Sequence, residues 1–420
     1  MLDQPALSAP PAPPVAKQTK LNERPVSLGR VASIDVLRAL TMILMIFVND
    51  LGLLIDVPQW LLHVERGVDG IGLSDVVFPA FLFIVGLSLP FAITTRRERG
   101  ETDGQLVKHI LLRSLALVAM GMFLSNGERF NAEAAGMARL YWNPLCCLAF
   151  ILIWNWYPQT ANKVVVNVVR SIGIAGLIIL AIIFQGGDDG EITGFNFQRW
   201  GILGSIGWAY LVGGLITLYS RNNFYAILGG WAFFCILSMV TKSGIIDREG
   251  FLSFIPGPIL GGTLVGLTMG GVLTTYIFRH FRKKEDNLGL TFVLIGFSVV
   301  LIALSVYTRP FWGLMKIGAT PAWLFLCSAF TILTFIAVYW LVDVGKKVHW
   351  FDIIKPAGTV TLLCYLVPYF MSFIRRFFGL TLPDPVVTGG FGLLKSFLFA
   401  LLCVFVAGLL AKRAGVKLKV

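Results

Sequence analysis

Residues 33–50 read SIDVLRALTMILMIFVND, and residues 75–93 read DVVFPAFLFIVGLSLPFAI. Each is an almost unbroken apolar run close to the roughly 20 helical residues that cross a hydrocarbon layer. A helix satisfies its own backbone there, which an isolated strand cannot do. Working outward, similar runs occupy 34–54, 75–95, 106–125, 140–157, 164–184, 201–219, 224–242, 259–278, 289–307, 320–342, 353–373 and 391–411. The expected fold is therefore an all-α, polytopic integral membrane bundle of about 11–12 helices. Composition agrees, because 56% of the 420 residues are hydrophobic and 14% charged, too few charges to cover a soluble globule. A cytosolic enzyme, a disordered chain, a disulfide scaffold and a dinucleotide-binding α/β protein are all excluded as first readings.

The charge is basic, 35 Lys and Arg against 23 Asp and Glu. In a soluble chain +12 would suggest nucleic acid, but here the cations lie in short segments between apolar runs, the pattern that orients membrane helices. No nucleic-acid partner is expected; the lipid bilayer is. One alternating set of connections holds the tail cations Lys17, Lys20, Arg24 and Arg30, then Arg96/Arg97/Arg99, Arg221, Arg279/Arg282/Lys283/Lys284, Lys346/Lys347 and Lys412/Arg413/Lys417/Lys419. The other set holds Asp50, Asp56, Glu65, Asp69, Glu128, Glu133, Asp188, Asp189, Glu191, Asp247 and Glu249, with Arg375/Arg376 against the trend. Both termini are expected in the cytoplasm and the protein in a membrane, multi-pass. Residues 1–30, rich in Pro and Ala without an apolar core, read as a disordered cytoplasmic tail; 31–415 form the membrane domain.

Cys146, Cys147, Cys235, Cys327, Cys364 and Cys403 all sit in apolar runs without metal-ligand spacing, and packing is the expectation. Gly262, Gly266 and Gly270 recur every four residues inside an apolar span, a close-packing pattern rather than a phosphate loop. Glycine-spaced helices permit a homodimer without requiring one. No metal is expected.

The polar groups concentrate between Ser33 and Asp75. Ser33 is read as a helix N-cap, with Asp35 and Arg38 three apart on one face; the pair is either an interfacial ion pair or the start of an anion site. Asn49 and Asp50 follow at the other end of the same helix. The next loop carries His63, Asp69 and Asp75. Ionisable groups at membrane depth are costly and usually have a task. His63 is one of four histidines, and the other three adjoin expected cytoplasmic ends. Spacing alone leaves two readings for it, a general base near neutral pH or a polar contact within an interfacial loop.

The order S-I-D-V-L-R-A-L-T-M, F-V-N, P-x-W-L-x-H and G-x-x-D-V-V-F-P-A-F-L-F-I-V-G-x-S-x-P-F-A-I, over 33–97, resembles the heparan-α-glucosaminide N-acetyltransferase family and its bacterial relatives. The resemblance implies an integral-membrane acetyltransferase of a bacterial inner membrane. It would move acetyl from cytoplasmic acetyl-CoA to an amino sugar or glycan on the far side. It also implies that His63 is the essential histidine, with Asn49 and Asp75 supporting it. The chain departs from the lysosomal branch at Val68-Asp69-Gly70 and at Gly136–Leu140 followed by Tyr141-Trp142-Asn143, differences that bear on the acceptor more than on the reaction.

Such a transfer requires a base, oxyanion donors and an uncharged nucleophile. His63 fits the base, with Asp69 or Asp75 on its other ring nitrogen; Asn49 fits a donor to the thioester oxygen. Direct transfer and an acetyl-histidine intermediate both remain open. Arg38, Arg96, Arg97 and Arg113 are the expected contacts for the acetyl-CoA phosphates. A secondary transporter of a small polar or sugar substrate is the alternative reading.

Overall fold

A computed structural model describes residues 31–187, 191–246 and 250–418, all within one compact unit beginning at Val31. The expected 1–30 tail with its cations, and Asp188, Asp189, Asp247, Glu249 and Lys419, lie outside the described residues. The twelve principal helices are α1 (Ala32–Asp50), α2 (Leu73–Glu98), α3 (Asp103–Asn126), α4 (Trp142–Trp154), α5 (Lys163–Ile183) and α6 (Gly201–Tyr219). They continue with α7 (Phe224–Lys242), α8 (Thr263–Arg282), α9 (Asn287–Trp312), α10 (Pro321–Tyr339), α11 (Thr361–Phe377) and α12 (Gly389–Arg413). Each expected span coincides with one of them, and no β-strand occurs among the described residues, only isolated bridges.

Nine of the described helices are long and apolar enough to cross a membrane by themselves. The three others have separate reasons. Helix α4 is short. Helix α11 meets residues 348–359 at a 77° bend, so no single straight helix crosses there. Helix α8 is diluted by Gly and Thr, yet Val265, Leu267, Thr268, Met269, Val272, Thr274 and Thr275 are completely buried. It is enclosed by other helices, so it needs no lipid-compatible surface.

Close approach of backbones explains that composition. A methyl group on Gly86 would collide with the Thr268 carbonyl, and one on Gly271 with the Phe83 carbonyl; α2 and α8 therefore cross almost backbone to backbone. Thr275 uses the proximity to donate to the Leu87 carbonyl at 2.8 Å. Helices α1, α2, α6, α8 and α10 form the interior, whereas α5, with 17% of its apolar stretch buried against 61% for α1, is peripheral.

Long-range contacts sort the connections into two ends. At the end where α1 begins, Ser33 N donates to Asp343 at 3.1 Å, Arg38 reaches the Gly358 carbonyl, Arg279 reaches the Pro90 carbonyl, and Asn155 pairs with Leu418. At the far end Ile55 pairs with Thr388, Asp69 with Arg309, and Asp50 with Lys395. The start of α1 and the end of α12 thus share one end, and Arg375/Arg376, in the last turn of α11, lie at the other. One local expectation is corrected: α1 is preceded by Val31, and Ser33 is inside the helix with its hydroxyl buried. Its backbone N–H is satisfied by Asp343 from the chain after α10, so a serine cap is unnecessary.

Candidate functional site

The site forms where the 51–72 connection meets the start of α2. Gly72 precedes α2 with extended backbone, and a methyl group there would strike the Leu62 carbonyl. That approach lets the Asp75 carboxylate turn back on its own loop. Its Oδ2 accepts from Gly72 N and Val64 N, both at 3.1 Å. Its Oδ1 lies 2.7 Å from His63 Nδ1. The side chain is only 2% exposed, and such a carboxylate persists only when its lone pairs are met. The first turn of α2 adds its dipole. Trp323 of α10 locks the backbone by donating Nε1–H to the Asp75 carbonyl at 3.0 Å, and Ser74 donates to the Leu61 carbonyl.

A carboxylate offers no proton, so the short bond assigns Nδ1 of His63 as the donor and leaves the Nε2 lone pair facing outward. His63 is 47% exposed while its partner is buried. The ring is thus fixed from behind and open in front, the arrangement in which a histidine takes a proton from an incoming group.

A third group comes from 253 residues further on. Lys316 Nζ lies 3.1 Å from His63 Nδ1, 3.3 Å from Nε2 and 3.9 Å from Asp75 Oδ1. Burial pushes its ammonium below the ordinary lysine range, and the Asp75 charge pushes back. Nothing in the sequence paired it with His63, although a lysine in a short connection at the acid-rich end was itself a signal.

Asp69 does not touch the histidine. Its carboxylate accepts from Leu314 N at 2.7 Å and pairs with Arg309 Nε at 3.0 Å, and these contacts, the Leu314 N–H first, hold it below the usual carboxylate range. Gly70 N donates to the Leu314 carbonyl at 3.1 Å. Asp69 is therefore the staple between two loops, and of the two carboxylates only Asp75 orients the ring.

Asn49 faces elsewhere. It is exposed at the end of α1 and lines a cavity of about 360 Å³ with Ser125, Glu128, Tyr365, Tyr369 and Ser372; His63 is not among the lining residues. Neighbouring Asp50 is buried and held by Lys395 at 2.6 Å and by Ser396.

Arg38, Arg96 and Arg97 lie toward the end where α1 begins, and Arg113 lies near the middle of α3. Arg38 is held by Asp35 at 3.0 Å, by Ser88 and by the Gly358 carbonyl; Arg96 by Glu101; Arg97 by Asp103 and the Leu218 carbonyl. Arg113 lies over the Tyr210 ring, and its buried Nε lacks a hydrogen-bond partner. At 1.5 Å per residue, Arg38 stands about 20 Å from the far end of α1, so Arg38, Arg96 and Arg97 lie at the opposite end from His63. All six cysteines are buried and unpaired, and no cluster of three potential metal ligands occurs among the described residues.

Residues 30–135 match the family model described as heparan-alpha-glucosaminide N-acetyltransferase, catalytic. The resemblance to that family is real over this segment. It contains α1, the loop with His63, all of α2 and α3, and hence Asn49, Asp75 and the four arginines. The heparan-alpha-glucosaminide N-acetyltransferase of Mus musculus is 30% identical over 115 residues, 27% of this chain and 17% of that protein. The Homo sapiens protein of the same name is 32% identical over 97 residues, 23% of this chain and 14% of its own length. The matched part is thus less than a fifth of either relative, and Lys316, Trp323 and Lys395 lie beyond the family match.

Proposed function

We propose that this chain is a membrane acetyltransferase that carries acetyl from acetyl-CoA to an amino sugar or glycan, with His63 as general base. The observation that supports it best is the 2.7 Å bond from His63 Nδ1 to buried Asp75, within the segment that matches an N-acetyltransferase catalytic family. In this reading Nε2 takes the proton from the acceptor amine or hydroxyl as its nitrogen or oxygen bonds to the acetyl carbon. The C–S bond then breaks, and the CoA sulfur leaves with the proton returned by the imidazolium. Asp75 stabilises that imidazolium and fixes the tautomer; a positioned base of this kind contributes about 10²–10⁴-fold.

The acetyl-CoA phosphates are placed at the end where α1 begins, taken as cytoplasmic, because Arg38, Arg96 and Arg97 are there. A phosphate must share or take over bonds that Asp35, Glu101 and Asp103 now make to Arg38, Arg96 and Arg97, whereas Arg113 has a buried N–H to offer. The thioester then has to extend across the bundle. Asn49 acts as oxyanion donor only if a substrate bridges its cavity and His63 Nε2. The Glu128 carboxylate and the hydroxyls of Tyr365 and Tyr369 in that cavity suit a polar, amine-bearing acceptor.

The test is release of CoA thiol from acetyl-CoA by purified protein in detergent, with and without glucosamine. Glucosamine-dependent release is expected. Accumulation of a sugar in proteoliposomes without CoA consumption would replace this reading by a transporter.

A further inference from the structure

We propose that Lys316 is a positioning residue for the His63–Asp75 pair: carried on the connection between α9 and α10, its ammonium keeps the His63 ring unprotonated and base-competent beside a buried carboxylate. The inference rests on His63 being the base.

The His63–Asp75 pair holds a conflict. A carboxylate bonded to Nδ1 orients the ring, but an opposite charge at that distance also favours imidazolium. A ring held charged cannot accept a proton. A second charge is needed that opposes protonation without taking the Nε2 lone pair.

Lys316 meets both conditions. Its Nζ is 3.1 Å from one ring nitrogen and 3.3 Å from the other. The two lone-pair directions of imidazole diverge, so a point nearly equidistant from both nitrogens is in line with neither. The ammonium therefore acts as a charge against the ring, and Nε2 stays available to a substrate. It is also nearer to the ring than to Asp75 Oδ1, at 3.9 Å, so the contact is not an ordinary carboxylate salt bridge.

The loop is built to hold it there. Ala319 N donates to the Lys316 carbonyl at 2.8 Å, Met315 N donates to Thr320 Oγ1, and Thr320 N donates to the Met315 carbonyl. Asp69 then staples Leu314, and through Arg309 the end of α9, to the histidine loop. The other titratable groups nearby are weaker influences. Glu65 and Arg66 follow His63 but are exposed and screened. Asp69 and Arg309 neutralise each other, and Cys327 of α10 is a fully buried thiol.

The experiment labels full-length protein in detergent with diethyl pyrocarbonate, which reacts with unprotonated imidazole, and follows the His63 peptide by mass spectrometry across the neutral pH range. Wild type is compared with Lys316→Met, Lys316→Gln and Lys316→Arg, with thermal melting to confirm folding. The Met and Gln variants are expected to shift the labelling profile toward higher pH by about one unit or more, and Arg to retain the parent profile. Superimposable profiles in wild type and either neutral variant would overturn the role of Lys316. The label reads the ring rather than turnover, so that result leaves the acetyltransferase reading intact, and absence of acetyl transfer leaves the labelling result intact.

Discussion

At the residue scale the chemistry converges on Asp75, which carries His63 on one oxygen and two backbone N–H groups on the other. Replacing it with Asn puts one carbonyl oxygen where two acceptor oxygens were needed, and the ring can adopt the wrong tautomer. Asp75→Asn is expected to lower glucosamine-dependent CoA release by 100-fold or more, by analogy with the loss seen when a catalytic histidine loses its orienting aspartate, while acetyl-CoA binding changes little. An Asp75→Asn protein with normal turnover would show that the carboxylate is only structural. His63 and Asp75 were legible because they fall in one short stretch of chain with a recognisable order of motifs. Lys316 was not, because its relation to His63 exists only after α9 has returned the chain to the same end.

At the element scale two loops behave as one. Asp69 ties the 51–72 connection to the start of the α9–α10 connection, and its lowered titration has a definite pH consequence. A carboxyl whose folded value is depressed contributes stability above its ordinary value of 3.8 that is lost as pH falls through the lower folded value. The melting temperature in detergent is therefore expected to be insensitive to Asp69→Ala's missing titration near neutrality. The wild-type advantage over Asp69→Ala should shrink only below about pH 4. The α2–α8 crossing gives a second prediction. Gly271→Leu pushes a side chain into the Phe83 carbonyl and is expected to cost at least 1–3 kcal/mol, read as a lower melting temperature. Helix positions were readable from hydropathy; of the glycines spaced every four residues, Gly266 and Gly270 do pack against the Leu324 and Phe83 side chains, but Gly262 caps α8 at φ 72° and the backbone crossing uses Gly86 and Gly271, outside that series. The bend before α11 and the Asp343 contact that replaces a serine cap were not, because both depend on neighbours distant in sequence.

At the scale of the whole molecule the protein is a helix bundle with unlike ends, Arg38, Arg96 and Arg97 toward one and the His63–Asp75 pair, beside the Asp69–Arg309 contact, on the other. The far end is braced where Asp50 of α1, 7% exposed, meets Lys395 of α12 at 2.6 Å. Removing one partner of such a pair strands a buried charge, typically at 3–5 kcal/mol. Lys395→Met should therefore lower the melting temperature clearly, and Asp50→Asn combined with Lys395→Met should recover part of the loss. In the proposed reaction one histidine at that end accepts the acceptor's proton. Its most direct test is transfer of labelled acetyl from acetyl-CoA to glucosamine by purified wild type and by His63→Ala with a matching melting profile. Transfer by wild type and a loss of about 10²–10⁴-fold in the variant are expected; equal rates from the two proteins would show that His63 is not the base.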